Sequence, residues 1–133
     1  ERGAGFNLTL KAFPNIRVVA REVADFEKQK AKEVVLRAMQ RNLRFDGIFA
    51  HNDNMILGAA EALETRQAAS TTVLGGFDGI QAALEALRQD RIDATIAQKP
   101  KRMGNLAVSS IARLFRGEKP VATIRVDLEV IEK

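Results

Sequence analysis

The sequence lacks cysteine, tryptophan and tyrosine, and phenylalanine supplies all seven of its aromatic residues. The absence of cysteine excludes disulfides, thiolate nucleophiles and zinc–thiolate sites. With so few rings the core must be aliphatic, and any exposed phenylalanine becomes a candidate for binding. No apolar run approaches the roughly 20 residues that a membrane-spanning helix needs, so no membrane insertion is expected.

A concentrated excess of one charge is also missing. The net charge is +4, but basic residues lie among acidic ones, as Lys30 and Lys32 lie between Glu27 and Glu33. Such mixing is typical of a solvated helix surface, so no nucleic-acid partner is expected. A length of 133 residues with 46% hydrophobic residues indicates a single soluble globular unit.

Helical and extended patterns alternate along the chain. Apolar spacings of three and four predict helices over 3–12, 26–42, 54–65, 80–89 and 101–115, the last ending near a C-cap glycine, Gly117. Short apolar runs predict strands over 16–20, 47–50, 71–75 and 93–97, followed by an extended segment over 121–131. This order predicts an α/β fold with a three-layer α/β/α parallel sheet.

Polar and aromatic side chains follow the predicted strands. Ligands of open α/β sheets bind beyond the carboxyl ends of the strands, so these side chains are the binding candidates. A polyhydroxylated ring needs amide and carboxylate groups for its hydroxyls and flat apolar walls for its CH faces. The candidates at the strand ends are Phe26, Asn52, Phe77, Asp78 and Gln98.

Structural alternatives remain open for these residues. Asn52, Asp53 and Asp78 each precede a predicted helix and could simply be N-caps. The two phenylalanines could be ordinary core residues, and Gln98 could be a loop residue without a role. The pair 75–76, Gly-Gly, could be a flexible turn rather than a site of close approach.

Catalytic patterns are weak. His51 is the only histidine, and a lone histidine near Asp53 is seldom an acid–base pair or a metal ligand. Ser109 and Ser110 lie in a predicted helix with no histidine nearby to act as base. No glycine-rich phosphate loop is present. We therefore predict no enzyme activity, no catalytic residue, no metal site and no cofactor.

Five short motifs, in order and spacing, carry a family resemblance. Residues 49–58 resemble the "FAxNDxMAxGA" stretch of ribose-type periplasmic sugar-binding proteins, and 76–79 resemble their "GFDG". Residues 94–104 resemble "ATIAQxPxxxG", 1–6 resemble "ERxxGF", and 24–26 resemble "ADF". The resemblance implies the type I periplasmic-binding-protein fold, which LacI-type regulators share.

The resemblance also implies which residues contact the sugar. They are Arg2, Phe26, Asn52, Phe77, Asp78 and Gln98. Asn52, Phe77, Asp78 and Gln98 follow from the strand ends as well, whereas Arg2 enters through the resemblance alone. His51 departs from the usual residue of the family, and we expect its side chain to point away from the pocket. Asp78→Ala should weaken binding strongly, whereas Asp53→Ala should mainly remove a helix cap, at a cost of about 1 kcal/mol.

Members of the family close two similar lobes around the sugar. The resemblance implies that 1–98 form most of the C-terminal lobe without its first strand, that 99–125 cross over to pack on the N-terminal lobe, and that 126–133 return. The sequence opens at Glu1 with no methionine and no visible signal peptide, and we expect the chain to be a fragment. A companion segment, a swapped partner or a rearranged sheet should then fill the gap.

The function implied is that of a substrate-binding component of a sugar ABC transporter, with ribose as the leading ligand. The implied partners are ABC permease subunits, with a chemoreceptor as a further candidate, and the implied location is the periplasm or, as a lipoprotein, the cell surface. The alternative is the effector-binding core of a LacI-type transcription regulator. An upstream signal peptide would favour transport, and an upstream helix-turn-helix would favour the regulator.

Overall fold

The computed structural model describes residues 2–65 and 71–133. Within these ranges, the five predicted helices are present, and helices and strands alternate from α2 onward. The elements are α1 (Arg2–Leu10), α2 (Lys28–Gln40), β1 (Gly47–Phe49), α3 (Asp53–Glu64), β2 (Val73–Asp78), α4 (Gln81–Arg88), β3 (Ala94–Ala97), α5 (Pro100–Phe115) and β4 (Glu129–Glu132). The α/β class predicted from the sequence is confirmed.

The described strands form one sheet in the order β1-β2-β3-β4. The pairs β1–β2 and β2–β3 are parallel, whereas β4 runs antiparallel to β3. The sheet is therefore mixed, and its parallel part is the part predicted from the βαβ pattern. Only the last residues of the predicted extended segment join the sheet.

The strand predicted over 16–20 is wrong. These residues belong to no strand of the described chain, and side chains such as Ile16 and Val19 are more than half exposed. A β-branched run favours extended backbone, but a strand also needs a hydrogen-bonded neighbour, which local sequence cannot supply.

Helices α3 and α4 pack on one face of the sheet, and α1 contacts the other face. The Phe6 ring of α1 stacks on the Phe49 ring of β1, with centroids 5.0 Å apart. On the opposite face, α3 packs over Gly76 of β2, next to Ile56. The core between the sheet and α2–α4 is aliphatic, as predicted. Its buried members are Val35, Ala50, Ile56, Leu57, Ala59, Ala60, Ala62, Leu63, Leu74, Ala83, Ala86 and Ile92.

Helices α2 and α3 approach each other closely at Gly58. A Cβ atom at this position would lie well inside 3.0 Å of the Lys28 carbonyl oxygen and 3.1 Å from the Lys32 backbone nitrogen. Lys28 Nζ also lies 2.6 Å from a carboxylate oxygen of Glu61, and its hydrogen bond lowers the pKa of that carboxyl. The two helices are thus held together by backbone contact and an ion pair.

Helix α5, like α1, has no buried residue, whereas α2, α3 and α4 each contribute buried residues to the core. Large apolar side chains on α5 face solvent, among them Val108, Ile111, Leu114 and Phe115, the last 89% exposed. Gly117 follows its end with a φ of +76°, which confirms the predicted C-cap glycine. Among the helices that the structure describes, none combines the length and the apolar character required to cross a bilayer.

Candidate functional site

The parallel strands β1, β2 and β3 end at one edge of the sheet, at Phe49, Asp78 and Ala97. The residues that follow them are brought together there. The Gln98 backbone nitrogen donates to the Asp78 carbonyl oxygen over 3.1 Å, which ties the end of β3 to the end of β2. This edge therefore brings Asp78 and Gln98 together, and Asn52 lies beyond the end of β1.

Asp78 is the centre of the cluster. Its Oδ1 atom accepts a hydrogen bond from Arg2 Nη2 at 2.9 Å and another from Gln98 Nε2. Its Oδ2 atom accepts none from the residues that the structure describes. The side chain is 26% exposed, so this second oxygen can still accept a hydrogen bond from a ligand.

Arg2 reaches the sheet edge from the first turn of α1. Its guanidinium carbon lies 3.9 Å from the centroid of the Phe77 ring, a cation–π geometry. Its Nη1 atom donates to the His51 carbonyl oxygen. The guanidinium is thus held by a ring, a carboxylate and a carbonyl. Phe77 is 9% exposed and carries Arg2 on its face, so it combines a core position with contact to the site.

Asn52 and Phe26 form a second pair, joined to each other by a hydrogen bond. The Asn52 side chain accepts from Met55 N at 2.9 Å, which makes it the N-cap of α3, and donates from Nδ2 to the Phe26 carbonyl oxygen at 3.2 Å. Phe26 is 58% exposed, so the core alternative for it is wrong. The cap alternative for Asn52 is confirmed, and the residue also fixes the backbone that presents the Phe26 ring.

Two of the residues predicted to contact the sugar have an unusual backbone conformation. The φ angle is +61° at Phe26 and +125° at Asp78, in a region that residues other than glycine rarely adopt. Such conformations persist only where their surroundings enforce them, and they cluster at functional sites. Both residues are therefore held in place at a cost in backbone energy.

The cap alternatives for Asp78 and Asp53 are wrong. The Asp78 carboxylate faces Arg2 and Gln98, and α4 begins without a side-chain cap. Asp53 is fully buried inside the first turn of α3, where Oδ2 accepts from Ile80 N at 2.8 Å and Oδ1 accepts from Thr95 Oγ1 at 2.6 Å. The expectation that Asp53→Ala mainly removes a helix cap fails, because Asp53 joins three segments of the chain.

The remaining alternatives are settled by contacts. Gln98 lies in the loop after β3, and its side chain donates to Asp78. Gly75 and Gly76 lie inside β2, and a Cβ atom at Gly76 would overlap Asp53 Oδ1, so this glycine is a position of close approach rather than a turn. The His51 ring lies beside Gly3 and meets the Phe49 ring edge-on, with centroids 5.7 Å apart.

Sequence reasoning missed Thr95, the buried partner of Asp53. The available signal was a single polar residue inside the apolar strand Ala94–Ala97, which a fully buried strand accommodates only with a hydrogen-bond partner. It also missed that Arg2 binds a backbone carbonyl at the end of β1. No group of three or more potential metal-ligating side chains occurs within 2–65 and 71–133.

Sequence comparison with known proteins finds relatives among sugar-binding proteins of transport systems. The chain is 36% identical to the ribose import binding protein of Haemophilus influenzae over all 133 residues, and 34% identical to that of Bacillus subtilis over 130 residues. The alignments cover 44% and 41% of those proteins. The chain therefore spans less than half the length of these relatives.

Solved structures of sugar-binding proteins also resemble this chain. The solute-binding protein of an ABC transporter from Actinobacillus succinogenes, solved with bound D-allose, superposes with a TM-score of 0.92 at 30% identity. The match covers 98% of this chain and 47% of that one. The model of the periplasmic binding protein domain family matches residues 1–119, nearly the whole sequence. The chain therefore belongs to the periplasmic binding protein domain family, as its motifs indicate.

Proposed function

We propose that the chain supplies half of the sugar site of an ABC transporter's substrate-binding protein. The observation that carries the proposal is the Asp78 carboxylate, which Arg2 and Gln98 hold through one oxygen while the other remains available. A hydroxyl donates naturally to that oxygen. The relatives named for ribose import and the neighbour solved with D-allose support a monosaccharide as the ligand.

The chemistry of the site suits a neutral polyol. A sugar hydroxyl donates to Asp78 Oδ2, and a neighbouring hydroxyl accepts from the Arg2 guanidinium. Hydrogen bonds to charged groups of this kind contribute about 1.5–3 kcal/mol each. The exposed Phe26 ring offers a flat apolar surface for the CH groups of the sugar. The spare N–H of Asn52 and the Gln98 amide complete the polar rim.

The second half of the pocket belongs to another lobe in this proposal. Residues 1–98 form the C-terminal lobe, 99–125 pack on the N-terminal lobe, and 126–133 return. The pairing of β4 with β3 and the exposed apolar side chains of α5 support this division. The sugar closes the lobes, and the closed form delivers it to ABC permease subunits from the periplasm or the cell surface.

Ribose is the ligand that the proposal favours. The five polar and aromatic positions at the strand ends, with Arg2, match the ribose pattern implied by the motifs. Calorimetry of the complete protein against ribose, xylose, allose and galactose should therefore give the tightest binding for ribose. A tighter complex with a hexose would refute the ribose assignment and leave the sugar-transport proposal intact. Failure to bind any monosaccharide would refute both.

The 133 residues should not behave as a free-standing receptor. Segment 16–20 has no paired neighbour in the described chain, and α5 leaves side chains such as Leu114 and Phe115 in solvent. Unpaired backbone and exposed apolar groups favour association. Purified alone, residues 1–133 should be oligomeric by light scattering and bind ribose at least 100-fold more weakly than the complete protein, roughly 3 kcal/mol. A monomer that unfolds cooperatively and binds ribose at micromolar concentration would contradict this.

A further inference from the structure

The buried carboxylate of Asp53 lies next to Asn52, one of the residues of the proposed sugar site. Asp53 has no exposed surface, and its two oxygens accept hydrogen bonds from Thr95 Oγ1 and Ile80 N. Neither partner is charged. A carboxylate buried without a cation is costly unless hydrogen bonds to it are well formed. Asp53 links the first turn of α3 to β3 and to the start of α4, and packing alone does not explain why a carboxylate occupies this position.

Thr95 extends the network toward Asp78. It is fully buried, donates its hydroxyl hydrogen to Asp53 Oδ1, and accepts from the Gly79 backbone nitrogen at 3.3 Å. The two amides that follow Asp78 in sequence, those of Gly79 and Ile80, are thus both held by this pair. Because the hydroxyl hydrogen is committed to Asp53, the Thr95 oxygen is left as the acceptor for Gly79.

The segment that the pair holds includes Asp78, whose backbone is strained. Asp78 has a φ of +125° and Gly79 a φ of +70°, and a Cβ atom at Gly79 would overlap Ala97. A φ of +70° is ordinary for glycine, but a φ of +125° is unfavourable for an aspartate and persists only where its surroundings enforce it. The direction of the Asp78 carboxylate depends on these angles, since they set how the residue leaves the end of β2.

We infer that the Asp53–Thr95 pair is a positioning device that aims the Asp78 carboxylate at the ligand. The inference rests on the proposed function and adds two residues to it, neither of which touches the sugar. Asp53 and Thr95 act through Gly79 and Ile80. A purely structural pair would stabilise the fold equally well whether or not Asp78 was correctly oriented, so affinity and stability can be separated.

The decisive variants change the Thr95 hydroxyl. Thr95→Val keeps the shape but removes the donor to Asp53 and the acceptor for Gly79. Thr95→Ser keeps the hydroxyl. In the complete protein, Thr95→Val should weaken sugar binding about tenfold or more, and Thr95→Ser should stay within about threefold of wild type. Affinity is measured by calorimetry far below the melting temperature of each variant, so that only folded protein is compared.

Asp53→Asn provides a second route if Thr95→Val does not fold. It offers one acceptor oxygen where two are used, and it should also weaken binding. The matched control is Asp93→Asn, because Asp93 Oδ2 accepts from the Leu74 backbone nitrogen at 2.8 Å, near the far end of β2. The control should lower the melting temperature without changing affinity. The amide NMR signals of Gly79 and Ile80 should shift in the Asp53 and Thr95→Val variants but not in the control.

The outcomes separate the inference from the proposed function. If wild type binds sugar and Thr95→Val and Asp53→Asn bind equally well, the positioning role is refuted and the sugar site stands. If Asp93→Asn weakens binding as much as they do, loss of affinity reflects general destabilisation, and the inference is again refuted. If wild type binds no sugar, the proposed function falls and the inference falls with it.

Discussion

Replacing Asp78 with alanine is expected to weaken sugar binding on the order of 100-fold or more. The change removes the carboxylate that faces the proposed site, and it also releases Arg2 and Gln98 from their shared oxygen. A sugar hydroxyl would then lie in a closed pocket without an acceptor, and a buried unpaired polar group costs about 1–3 kcal/mol. Calorimetry with the tightest-binding sugar gives the affinity.

Two further variants make this result interpretable. Asp78→Asn keeps the shape and one oxygen, so its loss should be smaller than that of alanine. Asp90→Ala removes an exposed carboxylate in the turn after α4, whose partner is Lys133, and should leave the affinity unchanged. Binding by Asp78→Ala within threefold of wild type would remove Asp78 from the site and with it the observation on which the proposed function depends.

Gly58→Ala is expected to cause a large loss of stability. The new Cβ atom would overlap the Lys28 carbonyl oxygen, which belongs to helix backbone and cannot rotate away. Helices α2 and α3 would have to move apart, and over-packing of this kind costs about 3 kcal/mol of unfolding free energy. Urea denaturation monitored by far-UV circular dichroism should show a lower midpoint with an unchanged slope.

Gly5→Ala is the matched control. Gly5 also lies within a helix, but a Cβ atom there would meet nothing within 4 Å. Alanine is a better helix former than glycine, so this change should stabilise the protein by about 0.5–1 kcal/mol. If Gly58→Ala proved as stable as wild type, the close approach of α2 and α3 at this point would be wrong.

The sequence was most informative where local pattern and the geometry of parallel sheets agree. Asp78 and Gln98 could be placed together because each follows a strand and parallel strands end at one edge. The strand at 16–20 could not be predicted correctly, because pairing depends on a neighbour and not on the residues themselves. Arg2 could be assigned only by family resemblance, since nothing in α1 indicates that its first turn reaches the end of β1.

Asp53 shows a different limit of sequence reasoning. A residue of its type before a helix is usually a cap, but the cap here is its neighbour Asn52. Its actual partners lie 27 and 42 positions away along the chain, at Ile80 and Thr95. Local preference identifies the kind of hydrogen bond that an aspartate makes, whereas the fold decides which donors come within reach.

The close approach of Gly76 to Asp53 also has a consequence for how such a lobe can change over generations. Any side chain at position 76 would occupy the space of the Asp53 carboxylate, so a larger residue there is acceptable only after position 53 has become smaller. A shorter residue at 53 in turn leaves Thr95 and Ile80 without their acceptor. Because each step taken singly removes a buried contact, we expect positions 53, 76 and 95 to change together rather than one at a time.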